Sequence, residues 1–325
     1  MFKYRLRDWA TARGYGLAIG GSGVIVEVKR KLEERRAAGL IEAGFYAENL
    51  SSFKFLEGLA VSGPVSLVMV AVPSPIHTLP ATAGGRTFEM LIPPTYVRYR
   101  ATFDDVLGDM KANVLPEDVK AETLRAPLKS LAVHMGLAAY GRNNVTYVAG
   151  LGSGHQLCGY AVGTDLETTE RSASGTDAET ILERCRDCRA CLKVCPTGAI
   201  REDRFLISAE RCFTLHSESR RPLPAWAKVG RSNCLIGCLA CQQICPENKG
   251  RLRTAPSGVK LTGDEAEALM EVGRRLESGA GGVSAGAIDE RIMASFRRAR
   301  AKLDRLGMTE DAEVMGRNLA NFIRG

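Results

Sequence analysis

Two cysteine runs constrain this chain more than any other feature. The first reads Cys185-Arg186-Asp187-Cys188-Arg189-Ala190-Cys191-Leu192-Lys193-Val194-Cys195-Pro196. In this C-x2-C-x2-C-x3-C-P spacing three thiolates hold one iron–sulfur cubane and the fourth reaches across to a second. The spacing therefore predicts a partner run, and Cys234, Cys238, Cys241 and Cys245-Pro246 supply it, with gaps of three, two and three residues. Two runs that each close on Cys-Pro point to two [4Fe–4S] clusters rather than to disulfides or a zinc ribbon.

Crossed ligation gives Cys185, Cys188, Cys191 and Cys245 to one cluster, and Cys195, Cys238 and Cys241 to the other. By spacing alone the remaining ligand is either Cys234 or Cys212, the latter in Ala209-Glu210-Arg211-Cys212. The long stretch from Arg201 to Ser232 between the runs exceeds what a bare carrier needs, which marks a module attached to an enzyme.

The remaining composition is that of a globular protein: 325 residues, 45% hydrophobic and 25% charged, enough for two or three domains. No apolar stretch reaches the length of a membrane span, and the longest, Val65 to Val72, reads as a strand covered on both faces. Charges scattered through Met1 to Asp8 leave no signal-peptide apolar region, so a cytoplasmic location is the expectation. Ten cysteines in that reducing compartment fit metal ligation. The net charge of +7 favours a polyanionic partner or an acidic redox protein. Lys29, Arg30, Lys31, Arg35 and Arg36 alternate with Glu27, Glu33 and Glu34, the pattern of a solvated helix face.

Along the chain, helices are expected over Tyr4–Ala12, Val24–Ala38, Tyr96–Val114 and Ala126–Leu137, with strands at Leu17–Ile19, Val65–Val72, Thr87–Ile92, Val145–Ala149 and Gly159–Gly163. Gly14, Gly16 and Gly20 follow a helix, so they are a cap and not a dinucleotide-binding loop. The proline- and glycine-rich stretch from Pro73 to Gly85 reads as a loop, and Glu167 to Asp177 as a Thr/Ser/Gly linker. Three helices follow the cysteine module, at Gly263–Ser278, Ala287–Leu306 and Thr309–Ile323. The pattern gives an α+β or α/β core over residues 1–170, a two-cluster ferredoxin domain over 178–252 and a small helical C-terminal cap over 260–325. Cys158, in Gln156-Leu157-Cys158-Gly159, reads as a buried structural thiol. Of the four histidines, His155 stands out, because Gly150-Leu151-Gly152-Ser153-Gly154 before it would let a large ligand approach the backbone.

The block Leu131-Ala132-Val133-His134-Met135-Gly136-Leu137-Ala138-Ala139-Tyr140-Gly141-Arg142-Asn143-Asn144, then Gly163-Thr164-Asp165-Leu166-Glu167, then the double cysteine run with Pro196-Thr197-Gly198-Ala199-Ile200, resembles epoxyqueuosine reductases. The corrinoid reductive dehalogenases share this plan more distantly. The resemblance implies a nitroreductase-like α/β domain that holds cobalamin base-off against the ferredoxin module. Electrons would come from an external low-potential donor such as ferredoxin or flavodoxin. It also implies that Cys212, in its Arg-Cys context, is the remaining cluster ligand; the corrinoid-binding candidates are His134, Gly141, Arg142, Asn143, Gly152 and Ser153, with His155, which the family pattern does not ask for, added from its glycine-rich loop. The family's proton-donating aspartate falls, counting back without gaps, on Glu122; Tyr96, Tyr99 and Tyr140 are alternative acids, tyrosine being the donor in the dehalogenase branch.

Two departures are plain: Cys245-Pro246-Glu247-Asn248 stands where the family has Pro-Trp-Asn, and the Gly150–Gly159 loop is longer. The resulting expectation is an oxidoreductase, a corrinoid-dependent iron–sulfur reductase with an unassigned substrate: a small molecule, a tRNA or a corrinoid protein. One alternative is an electron-transfer protein or reductive activator of a partner's corrinoid. A second is an epoxyqueuosine reductase acting on tRNA.

Overall fold

The longest apolar run becomes the centre of the main sheet. The computed structural model describes residues 2–61, 63–166, 181–227, 232–279 and 288–324; the linker read at 167–177 lies outside them. The elements of the first half are α1 (Phe2–Ala12), β1 (Gly16–Gly21), α2 (Gly23–Ala37), a short α3 (Ala43–Phe45), β2 (Ser66–Pro73), β3 (Ile76–Ala83), β4 (Arg86–Ile92), α4 (Tyr99–Asn113), β5 (Ala121–Thr123), α5 (Leu128–His134), β6 (Ala138–Tyr140), β7 (Thr146–Val148) and β8 (His155–Val162). The second half adds α6 (Ala190–Val194), α7 (Phe213–Glu218), α8 (Ala240–Gln243), β9 (Thr254–Pro256), α9 (Gly263–Glu277), α10 (Glu290–Arg305) and α11 (Ala312–Arg324).

The main sheet has the order β1-β2-β8-β5, antiparallel throughout. Because alternate residues of β2 face opposite ways, Val68 and Val70 pack beneath α1 and α4 with Leu6, Trp9, Phe103 and Met110. Leu67, Met69 and Ala71 pack on the other side against Ile25 and Val28 of α2 and Leu131 of α5. Both faces are thus covered, as continuous apolarity requires, in an α+β arrangement. Cys158 lies at the middle of β8, fully buried, and burial pushes its thiol up to about 12.

Several sequence expectations need correction. Pro73 to Gly85 is not a loop: Ile76–Ala83 forms β3, central in a second sheet of order β4-β3-β9. Pro80 is tolerated there because its carbonyl still accepts from Leu261 N at 2.9 Å, and Gly84 and Gly85, at φ 54° and 74°, make the two-residue hairpin turn into β4. The helix expected from Tyr96 starts at Tyr99, since Arg98 takes a left-handed φ of 55°. That leaves Tyr96 in a loop held by the Gln156 amide, which donates to the carbonyls of Pro94 and Val97, each at 2.8 Å. Glu122 lies on β5, not at a helix start. The glycine-rich stretch before His155 is a tight turn, and His155 already opens β8 opposite Pro73.

The C-terminal helices α9, α10 and α11 lie over the second sheet. Leu269, Val272 and Leu276 share one core with Leu79, Met90 and Ile92 of the sheet and with Leu235 and Ile236 of the cysteine region.

Candidate metal centre

Each cysteine run builds the same local unit, a short helix (α6 or α8) ending in a Cys-Pro turn, and the two helices pack on each other. This pseudo-symmetry sorts the sulfurs into two sets. The Cys185 thiol is influenced by Cys245 and Cys188, and that of Cys191 by Cys185, Cys188 and Cys245. Cys241 is influenced by Cys238, Cys212 and Cys195, and Cys212 by Cys195. Such influences fade with distance, so the sets are neighbourhoods in space. Burial works against ionisation at Cys195, but N–H groups of Thr197, Ile200 and Ala199 outweigh it and hold this thiol below its usual range. Among the described residues no three His, Cys, Asp or Glu side chains close on a single ion; thiolates around a cubane bind different irons and stand farther apart than ligands of one ion.

Cys234 lies beside the second set, where Cys238 influences its thiol, but it is held in an apolar packing of its own. It is 2% exposed, packed with Ile76, Leu91 and Leu239, and its flanking backbone pairs with β4 through Leu91 N to Asn233 O (2.9 Å) and Leu235 N to Leu91 O (2.8 Å). Burial pushes its thiol up to about 12.

Most of the residues brought forward for a corrinoid are placed at the seam between the main sheet and the cysteine module, with most of their polar atoms engaged there. Arg142 Nη2 donates to Cys185 O (2.6 Å) and Arg186 O (3.3 Å). Asn143 Nδ2 donates to Tyr147 Oη (2.9 Å) and Cys241 O (3.4 Å), and Tyr147 itself reaches the Cys245 sulfur. Ser153 bonds Gln242 through Oγ and Asn248 through its N–H, both at 2.8 Å. Gly141 and Gly152 are places of close approach: a Cβ would lie 2.6 Å from Tyr147 at the first and 2.5 Å from Asn248 Oδ1 at the second. His155 is 5% exposed, between Gly152 O (3.1 Å) and Thr146 Oγ1 (3.2 Å), and burial lowers its pKa to about 4. His134 Nδ1 bonds Ser130 O at 2.8 Å, while its buried Nε2 has no hydrogen-bond partner; desolvation lowers its pKa. A surface cavity of about 220 Å³ beside Arg142 and Phe205 has its acids paired, Glu202 with Arg189 and Asp203 with Arg201.

Of the four candidate acids, Glu122, Tyr140 and Tyr96 do not come together. The Glu122 carboxylate accepts from Ala60 N at 2.8 Å. Tyr140 is buried, its hydroxyl 3.0 Å from Ser130 Oγ and its ring edge-on to Phe205. The Tyr96 hydroxyl donates to the Glu218 carboxylate, close above Gly237, where a Cβ would lie 2.7 Å from it.

Glu218 and Lys129 are the site residues that sequence reasoning missed. Both are open to solvent, yet surrounding protein desolvates both: the Lys129 ammonium is pushed below the usual lysine value and the Glu218 carboxyl above the usual carboxylate value. Tyr99, open and likewise raised by burial, is a third such group. Lys129 feels Cys212 and Glu218, and Glu218 feels Tyr96, Glu310 and Lys129, so this pair of side chains borders the second sulfur set. No motif flags either residue; Glu218 merely ends the helix that Cys212 opens.

Comparison with known proteins bears on this arrangement. Residues 184–248 match the family model of the 4Fe-4S double cluster binding domain. The epoxyqueuosine reductase of Staphylococcus aureus (strain NCTC 8325 / PS 47) is 24% identical over 233 residues, 69% of this chain and 58% of that protein. That of Bacillus subtilis (strain 168) is 38% identical over 71 residues, 22% of this chain and 18% of that protein. The chain thus spans little more than half of the first relative and a fifth of the second. In structure it is similar to Bacillus subtilis epoxyqueuosine reductase at a TM-score of 0.66 and 19% identity, over 98% of this chain and 81% of the other. It is similar to an epoxyqueuosine reductase solved with an epoxyqueuosine-modified tRNA-Tyr stem loop at a TM-score of 0.60 and 16% identity, over 99% and 100% of the two chains. The resemblance to epoxyqueuosine reductases therefore holds in fold along almost the whole chain.

Proposed function

We propose that this chain is an iron–sulfur oxidoreductase of the epoxyqueuosine-reductase kind, and that its substrate is an epoxide-bearing nucleoside on tRNA. This reverses the order of the sequence-based alternatives: curated relatives and structural neighbours that carry that name, one of them solved with a tRNA stem loop, favour the tRNA reading over an unassigned substrate. The observation that carries it is the sorting of the cysteines into two neighbourhoods, one of Cys185, Cys188, Cys191 and Cys245 and one around Cys195, Cys212, Cys238 and Cys241, the second bordered by Lys129 and Glu218.

In this reading Cys185, Cys188, Cys191 and Cys245 hold one [4Fe–4S] cluster, and Cys195, Cys212, Cys238 and Cys241 the other. Removing an epoxide oxygen as water consumes two electrons and two protons. An external one-electron donor supplies the electrons one at a time through the clusters. Tyr96 and Glu218 are placed to give protons, and Lys129 to steady negative charge that develops on the departing oxygen.

The resemblance also implies a corrinoid, which would supply a strong nucleophilic reductant. Most of the residues brought forward to hold it do not fit that role, because Arg142 Nη2, Asn143, Ser153 and His155 spend their polar atoms on the cysteine module or within the turn, and only the buried His134 Nε2 and Arg142 Nε are without a hydrogen-bond partner.

Anaerobically reconstituted protein should carry about eight irons per chain, the content of two cubanes, and should restore queuosine in tRNA of a strain lacking epoxyqueuosine reduction. Full iron without queuosine would overturn the substrate and leave an electron carrier.

A further inference from the structure

The connection between α10 and α11 is pinned at both ends, and its two anchors flank the Tyr96–Glu218 pair. At its start, Leu306 O accepts from Arg98 N at 3.0 Å, and a Cβ on Gly307 would lie 3.1 Å from Arg98 Cα. Arg98 is two residues beyond Tyr96. At its end, Arg220 pairs with Asp311 and, at 2.9 Å, with Glu313; Arg220 is two residues beyond Glu218. The Tyr96 hydroxyl, donating to the Glu218 carboxylate, joins the two anchored segments. Glu310 lies between the anchors along the chain, half-buried, and its charge acts on both Glu218 and Tyr96.

The two carboxyls are not equivalent. Glu310 accepts from Thr309 N at 3.0 Å and from Thr309 Oγ1 at 3.3 Å, and it feels the Arg100 guanidinium. Those partners favour its ionised form, while burial works against it. Glu218 has the Tyr96 hydroxyl and the Lys129 ammonium in its favour, and burial and Glu310 against. The other cations nearby are engaged: Arg98 with Asp105, Arg220 with Asp311 and Glu313, and Arg317 with backbone carbonyls.

We propose that Glu310 is a positioning residue for proton delivery: its negative charge, brought in by the C-terminal helices, keeps the proton on Glu218 until the substrate takes it. The inference rests on the reading of Glu218 as the acid. Neighbouring carboxyls resist ionising together, and the one with more donors ionises first. An acid just before α11 also suits the positive end of the helix dipole, but that role would leave the Glu218 proton where it is.

The test uses oxidised, cluster-loaded protein without substrate. The infrared band of a protonated carboxyl that disappears in Glu218→Gln is titrated in the parent and in two variants of Glu310. In Glu310→Gln, which keeps the size and an acceptor for Thr309, the midpoint of that band should fall by about one pH unit or more. In Glu310→Asp, which keeps the charge, it should fall clearly less. The alkaline fall of kcat on tRNA should move with the band, and both variants should carry as much iron as the parent. An unmoved midpoint in Glu310→Gln, or equal falls in the two variants, would overturn the proposal. Iron lost from Glu310→Gln would overturn it too, by making Glu310 a structural support. A parent with no such band refutes Glu218 as the acid. Because the titration needs no substrate, protein that titrates as expected and leaves tRNA unmodified refutes the tRNA reading alone.

Discussion

Glu122 and Glu218 carry the same functional group in different surroundings. Glu122 is tied to a backbone amide on β5. Glu218 is desolvated, hydrogen-bonded by Tyr96 and crowded by Glu310, with burial the largest influence raising its pKa. An acid catalyst works in its protonated form, so turnover should fall as pH rises through that elevated pKa, above the usual carboxylate range. Glu218→Gln should lower kcat by about two to four orders of magnitude and erase this alkaline fall, whereas Glu122→Gln should stay within severalfold of the parent. A crippled Glu122→Gln enzyme with a normal Glu218→Gln enzyme would reverse the assignment. His155 gives a second residue-scale expectation. Its pKa falls from 6.5 to about 4, so below pH 6.5 the unfolded chain binds a proton that the folded one refuses, and stability is lost as pH drops towards 4. The loss from this residue approaches about 3 kcal/mol. In His155→Gln the slope of denaturation midpoint against pH over that window should be shallower; an unchanged slope would place the acid sensitivity elsewhere.

Between α9 and α11, close approach is made by glycines. A Cβ on Gly316 of α11 would lie 2.0 Å from Leu269 O, and one on Gly273 of α9 would lie 2.0 Å from Arg317 N. The backbones of α9 and α11 touch, so Gly316→Ala must push two helices apart, at a cost of about 1–3 kcal/mol or more. By contrast Gly108, exposed within α4 and with nothing within 4 Å of its Cβ position, should gain up to about 1 kcal/mol on substitution by alanine. Thermal melts of the two variants should move in opposite directions. Elements of this kind were legible where the pattern was one-sided. The β2 run and the apolar stripe Leu269, Val272, Leu276 were read correctly because burial alone dictates them. β3 was missed because Pro80 and Gly84-Gly85 read as breakers, although paired glycines between two apolar runs are also a hairpin signal. Spacing alone assigns seven of the cysteines, and it leaves Cys212 and Cys234 open because a lone cysteine in the linking stretch carries no spacing signal. Glu218 and Lys129 could not be read from the sequence, since their roles come from desolvation by segments distant in sequence.

At the scale of the whole molecule, the C-terminal helices hold the stretch that links the two cysteine runs. Arg317 of α11 is fully buried, and desolvation lowers its pKa to about 10, still far above neutrality, so it remains a cation. Its guanidinium donates to the carbonyls of His216, Ser217, Ser219 and Arg221, while Asn318 Nδ2 donates to Ser217 O (2.9 Å) and Leu235 O (3.1 Å). All of those carbonyls except that of Leu235, which directly follows Cys234, lie on the segment between Cys212 and Cys234, including the end of the helix that carries Glu218. Replacing Arg317 with leucine strands several carbonyls in a dry interior, each costing about 1–3 kcal/mol when unsatisfied. The loss should fall on the Cys212 side, because the first sulfur set is fastened separately through Arg142 to Cys185 and Arg186. Arg317→Leu should therefore lower the melting temperature and take the iron content from about eight towards four per chain, with Arg317→Lys in between, since an ammonium keeps the charge but loses the planar fork. If Arg317→Leu protein kept both clusters and melted like the parent, the C-terminal helices would be a cover for the second sheet and no support for the cluster on the Cys212 side.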